Sequence, residues 1–326
     1  MRRLRNLIPA LGLVILLALP FVVYAKAQDI TDWWQLRGYA PPTAVSSLAT
    51  EDTMTSYARH VFYVNHPQLT SSVTTFRQEC SENEQTIVLG CYHPNQQGID
   101  IYAVQDSRLH GVQEVTAAHE MLHAAYDRLS SKDKNYVDGL LQNYYKNDLQ
   151  DQRIIDTINA YKKTEPDQIV NEMHSIFGTE IANLPPALET YYSKYFTNRT
   201  TIAAFANSYQ GAFTSLQNQI NADDQQLSSL KQQIQGEEQS LTSQLAQVNS
   251  DRAKLDGQRS SGQTDAYNSG VASFNDEVDS YNNSIGKLQS DIDGYNSLVA
   301  VRNSIASELR GLQSELDTRL TTQAAQ

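Results

Sequence analysis

The sequence predicts an α+β domain, with a small sheet followed by helices, and then a long C-terminal α-helical coiled-coil hairpin. Three observations carry this prediction. The word HEMLH at residues 119–123 lies in an uninterrupted helical pattern, short β-branched runs precede it, and apolar residues recur every three or four positions far beyond it. We therefore expect a targeting segment at residues 1–27, a linker at 28–43, the α+β domain at 44–204 and the hairpin at 205–322.

Residues 1–27 predict export from the cytoplasm. The basic start MRRLRN is followed by a mostly apolar run, residues 7–25, which leads to Ala25-Lys26-Ala27. The small residues Ala25 and Ala27 suit cleavage, whereas an apolar run of ~28 Å could also stay in the bilayer as an anchor. Both alternatives stay open. In either case the chain after residue 28 is expected outside the cytoplasm, secreted or anchored to the membrane.

The net charge of the chain argues against two classes of partner. It carries 25 Lys and Arg against 37 Asp and Glu, a formal net charge of −12, and no basic cluster follows residue 6. Nucleic acids and anionic lipid surfaces attract basic patches, so neither is an expected partner.

The first part of the exported chain predicts extended structure. Residues 28–43 contain Trp33, Trp34 and a Pro-Pro pair, which indicate a linker or an extended lead-in, and a helix is expected near residues 51–58. HVFYVN, TIVLGCY and IDIYAV then predict strands of a small sheet. The last two strands are expected to pair antiparallel, because the turn-rich HPNQQG separates them.

The only cysteines, Cys80 and Cys91, fall in the exported part of the chain. In an oxidising compartment we expect them to form a disulfide that closes a loop of about a dozen residues and stabilises the fold by roughly 2–3 kcal/mol. The alternative is two free buried thiols. A metal role is not expected, on the ground that no CxxC or Cys/His spacing surrounds them.

The HEMLH word predicts a metal site. His119 and His123 lie one helical turn apart, so their imidazoles can reach a single point beside the helix. Glu120 leaves the helix about 100° around from His119, which suits a general base better than a ligand. The alternative is a helix that carries two histidines on a partly buried face.

This segment resembles the active-site helix of the zincin metallopeptidases, most closely the thermolysin-like gluzincin branch. The branch has the pattern HExxHAxxD, which is matched here by His119, Glu120, His123, Ala124 and Asp127. The metzincin continuation is absent, because Tyr126 and Leu129 stand where its glycine and third histidine would be. The resemblance implies a zincin-like metallopeptidase domain that binds one zinc ion.

A helix predicted at about residues 165–177 offers the third ligand. Glu172 lies near its middle, whereas His174 projects about 200° away from it. Glu180 lies beyond Gly178, where we expect the helix to end. Glu172 is therefore the expected metal ligand, and the alternative is a solvated or salt-bridging glutamate.

The stretch NEMHSIFGT also resembles the NExxSDxFGT segment that supplies the glutamate ligand in thermolysin-like enzymes. It matches at Asn171, Glu172, Ser175, Phe177, Gly178 and Thr179. It lacks the aspartate after the serine, which is expected to orient a ligand histidine, so Asp127 or Asn171 would have to take that role. The gap between His123 and Glu172, residues 124–171, is also longer than the family's.

The rest of the chain predicts helices. Two are expected near residues 132–147 and 150–162, before the one that carries Glu172. Beyond residue 205, GQRSSG at residues 257–262 interrupts the apolar pattern, so two arms of ~75–80 Å are expected to fold back as an antiparallel hairpin. A disordered polar tail is the alternative.

These residues predict metal-assisted hydrolysis of an amide bond. Zinc with this ligand set lowers the pKa of a bound water to about 7, and Glu120 can accept its proton as the water attacks a carbonyl. The sequence singles out no donor to the developing oxyanion from a set of candidates: Tyr191, Tyr192, Tyr195, His174 and Arg199.

We therefore expect an extracytoplasmic zinc peptidase that acts on a peptide or protein substrate. The alternative is a catalytically inactive envelope interaction or scaffold protein whose coiled coil is the working part. The membrane, through an uncleaved N-terminal segment, and a second copy or another protein, through the coiled coil, are the other expected partners.

Overall fold

The computed structural model of the chain describes residues 26–80, 89–94 and 98–318. It is mostly helical, with a small three-stranded sheet and two long C-terminal helices. The helices are α1 (Ala27–Leu36), α2 (Thr43–Glu51), α3 (Ser56–Tyr63), α4 (Val73–Glu79), α5 (Val112–Asp127), α6 (Ser131–Asn147), α7 (Gln152–Thr164), α8 (Ile169–Glu180), α9 (Pro186–Tyr192), α10 (Arg199–Ser260) and α11 (Thr264–Leu316). The strands are β1 (Gln68–Thr70), β2 (Gly90–His93) and β3 (Gly98–Tyr102).

The chain divides into two compact units. Of the described residues, the first unit holds 26–80, 89–94, 98–211 and 314–318, and the second holds 212–313. The predicted targeting segment lies outside the described residues except for Lys26 and Ala27. No helix among the described residues has the length and apolarity needed to cross a bilayer.

The sheet of the first unit has the order β1-β3-β2. β2 pairs antiparallel with β3, with Cys91 opposite Asp100, which confirms the predicted pair. β1 lies parallel to β3 on the other side. β2 is therefore an edge strand, and its face at Gly90 packs against the helix that carries HEMLH, since a Cβ atom added at Gly90 would lie 2.5 Å from Thr116.

Two other segments that were predicted to be extended, HVFYVN and residues 28–43, contain helix instead. HVFYVN does not form a strand, because its first residues complete α3, which begins after Thr55. The Thr55 hydroxyl accepts a hydrogen bond from the backbone of Ala58, and Ala58, Val61 and Phe62 are buried at helical spacing. The predicted linker at 28–43 likewise contains α1, so the expectation of an extended lead-in is wrong.

The helix predicted to end at Gly178 continues to Glu180. A Cβ atom added at Gly178 would lie 2.5 Å from Leu122 Cδ1 and 2.8 Å from Tyr192 Cε1. The glycine is thus a packing residue rather than a helix stop, because it lets α8 approach α5 more closely than a side chain would allow. This contact positions the candidate ligands on the two helices.

Cys80 and Cys91 form the predicted disulfide. Their Cα atoms lie 5.8 Å apart, and the bond joins the C-terminal end of α4 to the edge strand β2. It closes a loop with a sequence separation of 11 residues. The edge strand is thereby tied covalently to the rest of the first unit.

The second unit is an antiparallel pair formed by α10 and α11. Arg302 binds Asp224, and Gln233 donates to Asp291 across the two helices. The turn between the helices lies at residues 261–263, later than the predicted 257–262, because α10 continues through Gly257. Gly262 has φ +75°, a left-handed conformation that favours glycine at the turn.

A buried carboxyl lies between α2 and the start of α5. Asp52 is fully buried, and neither of its carboxyl oxygens has a hydrogen-bond partner. Burial, and then the charges of Glu114 and Glu51, raise the pKa of Asp52 well above its ordinary value. His110 lies 3.9 Å from Glu114. The folded protein therefore keeps a proton on Asp52 that the unfolded chain releases.

The raised pKa of Asp52 predicts how the free energy of unfolding changes with pH. A carboxyl with a raised pKa in the folded state contributes full stability below about pH 4, and that contribution is lost as pH rises toward the folded-state pKa. We expect Asp52→Asn to reduce this loss, measured as the free energy of unfolding in urea from mildly acidic to mildly alkaline pH. The matched control is Asp167→Asn, at an exposed position. Identical pH slopes for wild type and Asp52→Asn would contradict the expectation.

The division into units predicts that the first folds without the second. Phe205, Ala206 and Tyr209 belong to the core of the first unit, so a cut at residue 205 would damage that core. We expect replacement of residues 212–313 by a Gly/Ser linker of about 10 residues to leave a folded protein, since its span of ~18 Å exceeds the roughly 8–10 Å between packed helices.

Circular dichroism, the unfolding midpoint and metal content check this expectation. A shorter variant that ends at residue 204 is the contrasting case, because it also loses the contact in which Arg77 donates to the backbone carbonyl of Thr318. The two-unit description fails if both variants unfold alike.

Candidate metal centre

The HEMLH helix begins at a residue that has to be glycine. Gly111 caps α5 with φ +102°, and an added Cβ would lie 2.8 Å from the Cβ of Phe205. Both the conformation and the contact exclude a side chain. From this start, α5 runs without interruption to Asp127, and Ala117, Ala118, Met121 and Leu122 are fully buried on it.

Three predicted ligands meet at one point. Glu172 on α8 places Oε1 3.4 Å from the Nε2 atom of His123 and Oε2 3.6 Å from the Nε2 atom of His119. One donor atom from each side chain lies within 4.8 Å of the others. Donors that surround a tetrahedral zinc ion at about 2.1 Å lie about 3.4 Å apart, which is close to both separations between Glu172 and the imidazoles. The three side chains could therefore hold a metal ion.

The chemistry of the donor set also fits a cation. Glu172 is buried, and its Oε2 atom has no hydrogen-bond partner. Burial lowers the pKa of His119, but Glu172 and Glu120 outweigh it and raise that pKa to about 9. Burial raises the pKa of Glu172, and the two histidines outweigh it, so this pKa is lowered. The carboxylates favour a positive charge between the ligands, which a proton or a metal ion can supply.

Glu120 lies beside this group, at the wall formed by the edge strand. It is buried and lines a cavity of about 360 Å³ together with the three ligands. A Cβ atom added at Gly90 on β2 would lie 2.9 Å from Oε1 of Glu120 and 2.5 Å from Thr116. Glycine at this position therefore lets the edge strand approach the metal helix, and Glu120 lies between the two.

His174 faces away from the metal ligands, as predicted. It is fully buried, and its Nε2 atom lies 2.9 Å from the hydroxyl of Tyr191. Tyr192 donates a hydrogen bond of 2.7 Å to the backbone carbonyl of His174. Burial raises the pKa of Tyr195 to about 12, so its hydroxyl keeps its proton and the side chain serves in packing. These side chains pack α8 against α9 and, through the 5.2 Å contact of His174 with Tyr126, against α5.

The candidates for an oxyanion donor do not line the cavity. His174 packs against three tyrosines, Tyr191, Tyr192 and Tyr195. Arg199 binds Glu189 and the carbonyl groups at the end of α8. Tyr92, Tyr161 and Tyr209 line it instead. They come from β2, α7 and α10, and no local pattern in the sequence connects them. Tertiary structure alone brings them together.

Two residues were expected to orient a ligand histidine in place of the missing aspartate. Asp127 and Asn171 both line the cavity. The side-chain oxygen of Asn171 is buried without a hydrogen-bond partner. The assignment of either residue to that role stays a prediction.

A histidine close to the disulfide was missed in the sequence. His93 Nε2 lies 3.4 Å from Cys91 Sγ and 3.2 Å from Asp100, and Cys80, Cys91 and His93 form a second group with metal-ligand spacing. The Cys-x-His spacing was the available signal. The two sulfur atoms are bonded to each other, so in this form neither is a thiolate ligand.

Comparisons of the chain with protein-family models, with curated proteins and with solved structures found no match. The interpretation of this site therefore depends on its geometry and on the residues that form it.

The geometry predicts the effect of removing the third ligand. Glu172→Ala should weaken zinc affinity at least about 100-fold, because even residues that only support a ligand are typically worth 10–100-fold. The matched control is Glu180→Ala, since the carboxylate of Glu180 lines the same cavity but pairs with Arg153. Competition with a chromophoric chelator measures both. A greater loss in Glu180→Ala than in Glu172→Ala would reassign the ligand.

Proposed function

We propose that the protein is an extracytoplasmic zinc-dependent peptidase. The observation that carries this proposal is the position of the Glu120 carboxylate beside a group of three metal-binding side chains on the wall of one cavity. Two histidines and one carboxylate form a typical ligand set of catalytic zinc, which leaves a further coordination position open. The resemblance of the HEMLH and NEMHS segments to gluzincins supports the same function.

Each residue has a distinct role in the proposed reaction. His119, His123 and Glu172 would hold the ion, which supplies a Lewis acid when bound. Glu120 accepts a proton from the water that attacks the peptide carbonyl and passes it to the departing amine nitrogen. The burial of Glu120 keeps bulk water from competing for that proton.

The edge strand offers a place for an extended substrate. β2 pairs with β3 on one side, and no other described strand pairs with its outer edge. Gly90, Cys91 and Tyr92 of this strand line the cavity that contains Glu120. A peptide that adds to this edge through backbone hydrogen bonds would bring its carbonyl groups past the metal ligands.

The charge of the cavity favours basic substrates. Asp127 and Glu165 line it in addition to Glu120 and Glu172, and no lysine or arginine is among its described lining residues. Glu180 lines it too, but its charge is matched by Arg153. One carboxyl oxygen of Glu165 is buried without a hydrogen-bond partner. Acidic walls in a partly closed cavity raise the local concentration of cationic groups. We therefore expect a preference for peptides with lysine or arginine near the bond that is cleaved.

A second function fits the C-terminal helices. The second unit is an antiparallel helix pair that is compact by itself, which is typical of a scaffold or a protein-binding arm. In that case the first unit would be a catalytically inactive domain and the helix pair would be the working part. Activity of the intact protein separates the two functions.

Glu120→Gln tests the proposal directly. Glutamine keeps the shape of glutamate but cannot accept the proton, so kcat should fall at least about 100-fold, the usual scale for a general base, while zinc stays bound. The assay uses a fluorogenic peptide that contains lysine, beside one in which glutamate replaces the lysine. Metal content by mass spectrometry accompanies each measurement.

The matched control is Glu114→Gln, the same change on the same helix at a position that does not line the cavity. It should keep the activity of the wild type. Unchanged turnover in Glu120→Gln, or no zinc-dependent turnover by the wild type, would remove the peptidase hypothesis and leave the scaffold function.

A further inference from the structure

Helix α1 exposes three of its bulky apolar side chains to solvent. Trp33 is 55% exposed, Trp34 is 62% exposed and Ile30 is 43% exposed. Tryptophan is normally among the more buried residues of a folded domain. Two adjacent exposed tryptophans on one short helix therefore indicate a surface that is covered by something else.

The exposure does not come from a loosely attached helix. Asp32, on the opposite side of α1, is buried, and it accepts two hydrogen bonds from Arg128, of 2.8 and 2.9 Å. Its Oδ2 atom also lies 2.6 Å from His60 Nε2. A buried, fully paired aspartate fixes the rotation of the helix, because turning α1 would break a charged pair in a dry environment. The pairing of Asp32 with Arg128 therefore keeps the two tryptophans on the outer face of the first unit.

The outward face has the composition of a membrane-interface helix. At about 100° per residue, Ile30, Trp33 and Trp34 all fall within an arc of about 100° opposite Asp32. Arg37 lies at the end of the helix with its guanidinium 5.2 Å from the Trp33 ring and 5.7 Å from the Trp34 ring. Tryptophan beside basic residues is typical of the boundary between lipid and water, where each ring has an apolar body and a polar N–H group.

The neighbouring sequence indicates which surface covers this face. The apolar residues 7–25 end directly before Lys26, and α1 begins at the next residue. If residues 7–25 are retained as the anchor that the sequence leaves open, the chain would leave the hydrocarbon directly before α1, at the level of the lipid headgroups. No feature of the described residues indicates a protein partner for this face. The net charge of −12 favours a zwitterionic rather than an anionic lipid surface.

We propose that α1 lies in the headgroup region of a lipid bilayer, with Ile30, Trp33 and Trp34 in contact with lipid. Arg128, which holds Asp32, follows the last residue of α5. The contact therefore also fixes the orientation of the metal-binding helix relative to the bilayer. This inference does not depend on peptidase activity.

The chain contains only two tryptophans, both on α1, so intrinsic tryptophan fluorescence reports this helix alone. The full chain is reconstituted with phosphatidylcholine vesicles, with or without bromine on the acyl chains. We expect a blue-shifted emission, protection from iodide in the water phase, and loss of most of the emission in brominated lipid. Bromine near the headgroup should quench more than bromine near the chain end, since interfacial helices insert only ~5–10 Å.

A relocated reporter is the control. In the Trp33→Phe/Trp34→Phe background, Val301→Trp places the only tryptophan at a 53% exposed position on α11, outside the first unit. This reporter should stay open to iodide and should not respond to brominated lipid. Equal quenching of both reporters would overturn the proposal. The proposal would also be overturned if Trp33 and Trp34 were protected from iodide but not quenched by brominated lipid. That result would show that protein, and not lipid, covers the two rings.

Discussion

The close packing of α5 against α8 is the constraint on which the candidate metal site depends. Two of the candidate ligands belong to one helix and need only its regular geometry, but Glu172 comes from another helix and would have to arrive within about 0.2 Å of a coordination distance. Gly178 makes this approach possible, because Leu122 and Tyr192 occupy the space where a side chain would stand. A larger residue there would move α8 away and leave the two histidines without their third partner.

The rotation of α8 matters as much as its distance. Glu172 and His174 leave the helix about 200° apart, and the hydroxyl of Tyr191 lies 2.9 Å from Nε2 of His174, outside the cavity that Glu172 lines. The packing of His174 against aromatic side chains of α5 and α9 thus sets the rotation of α8 that turns Glu172 toward His119 and His123. These residues looked like candidates for chemistry because of their types, but their physical role is to position the helix that completes the site. Burial of a carboxylate with an oxygen that lacks a hydrogen bond then favours a cation at that point.

The parts that the sequence predicted correctly are those set by local geometry or by covalent chemistry. Helical spacing brings His119 and His123 together. The angle of about 200° between residues two positions apart separates Glu172 from His174, so both predictions follow from the 3.6-residue turn. The disulfide follows from two cysteines in one short segment. Tyr161 and Tyr209 could not be predicted as cavity residues, because nothing local connects α7 with α10. HVFYVN was misread because a buried helix and a strand share β-branched and aromatic residues, and the Thr55 cap decides between them.

Asp32 explains why residues 28–43 cannot be an extended linker. A carboxylate can be buried there only if its charge is matched, and Arg128 supplies that match from the C-terminal end of α5. Arg128 also lies at the C-terminal end of α5, where the helix dipole is negative and attracts a cation. Its guanidinium therefore balances both the Asp32 carboxylate and the helix dipole. Sequence composition shows neither effect, since the two residues lie 96 positions apart. Because one ion pair joins α1 to the end of α5, any displacement of α1 acts directly on the helix that carries His119 and His123.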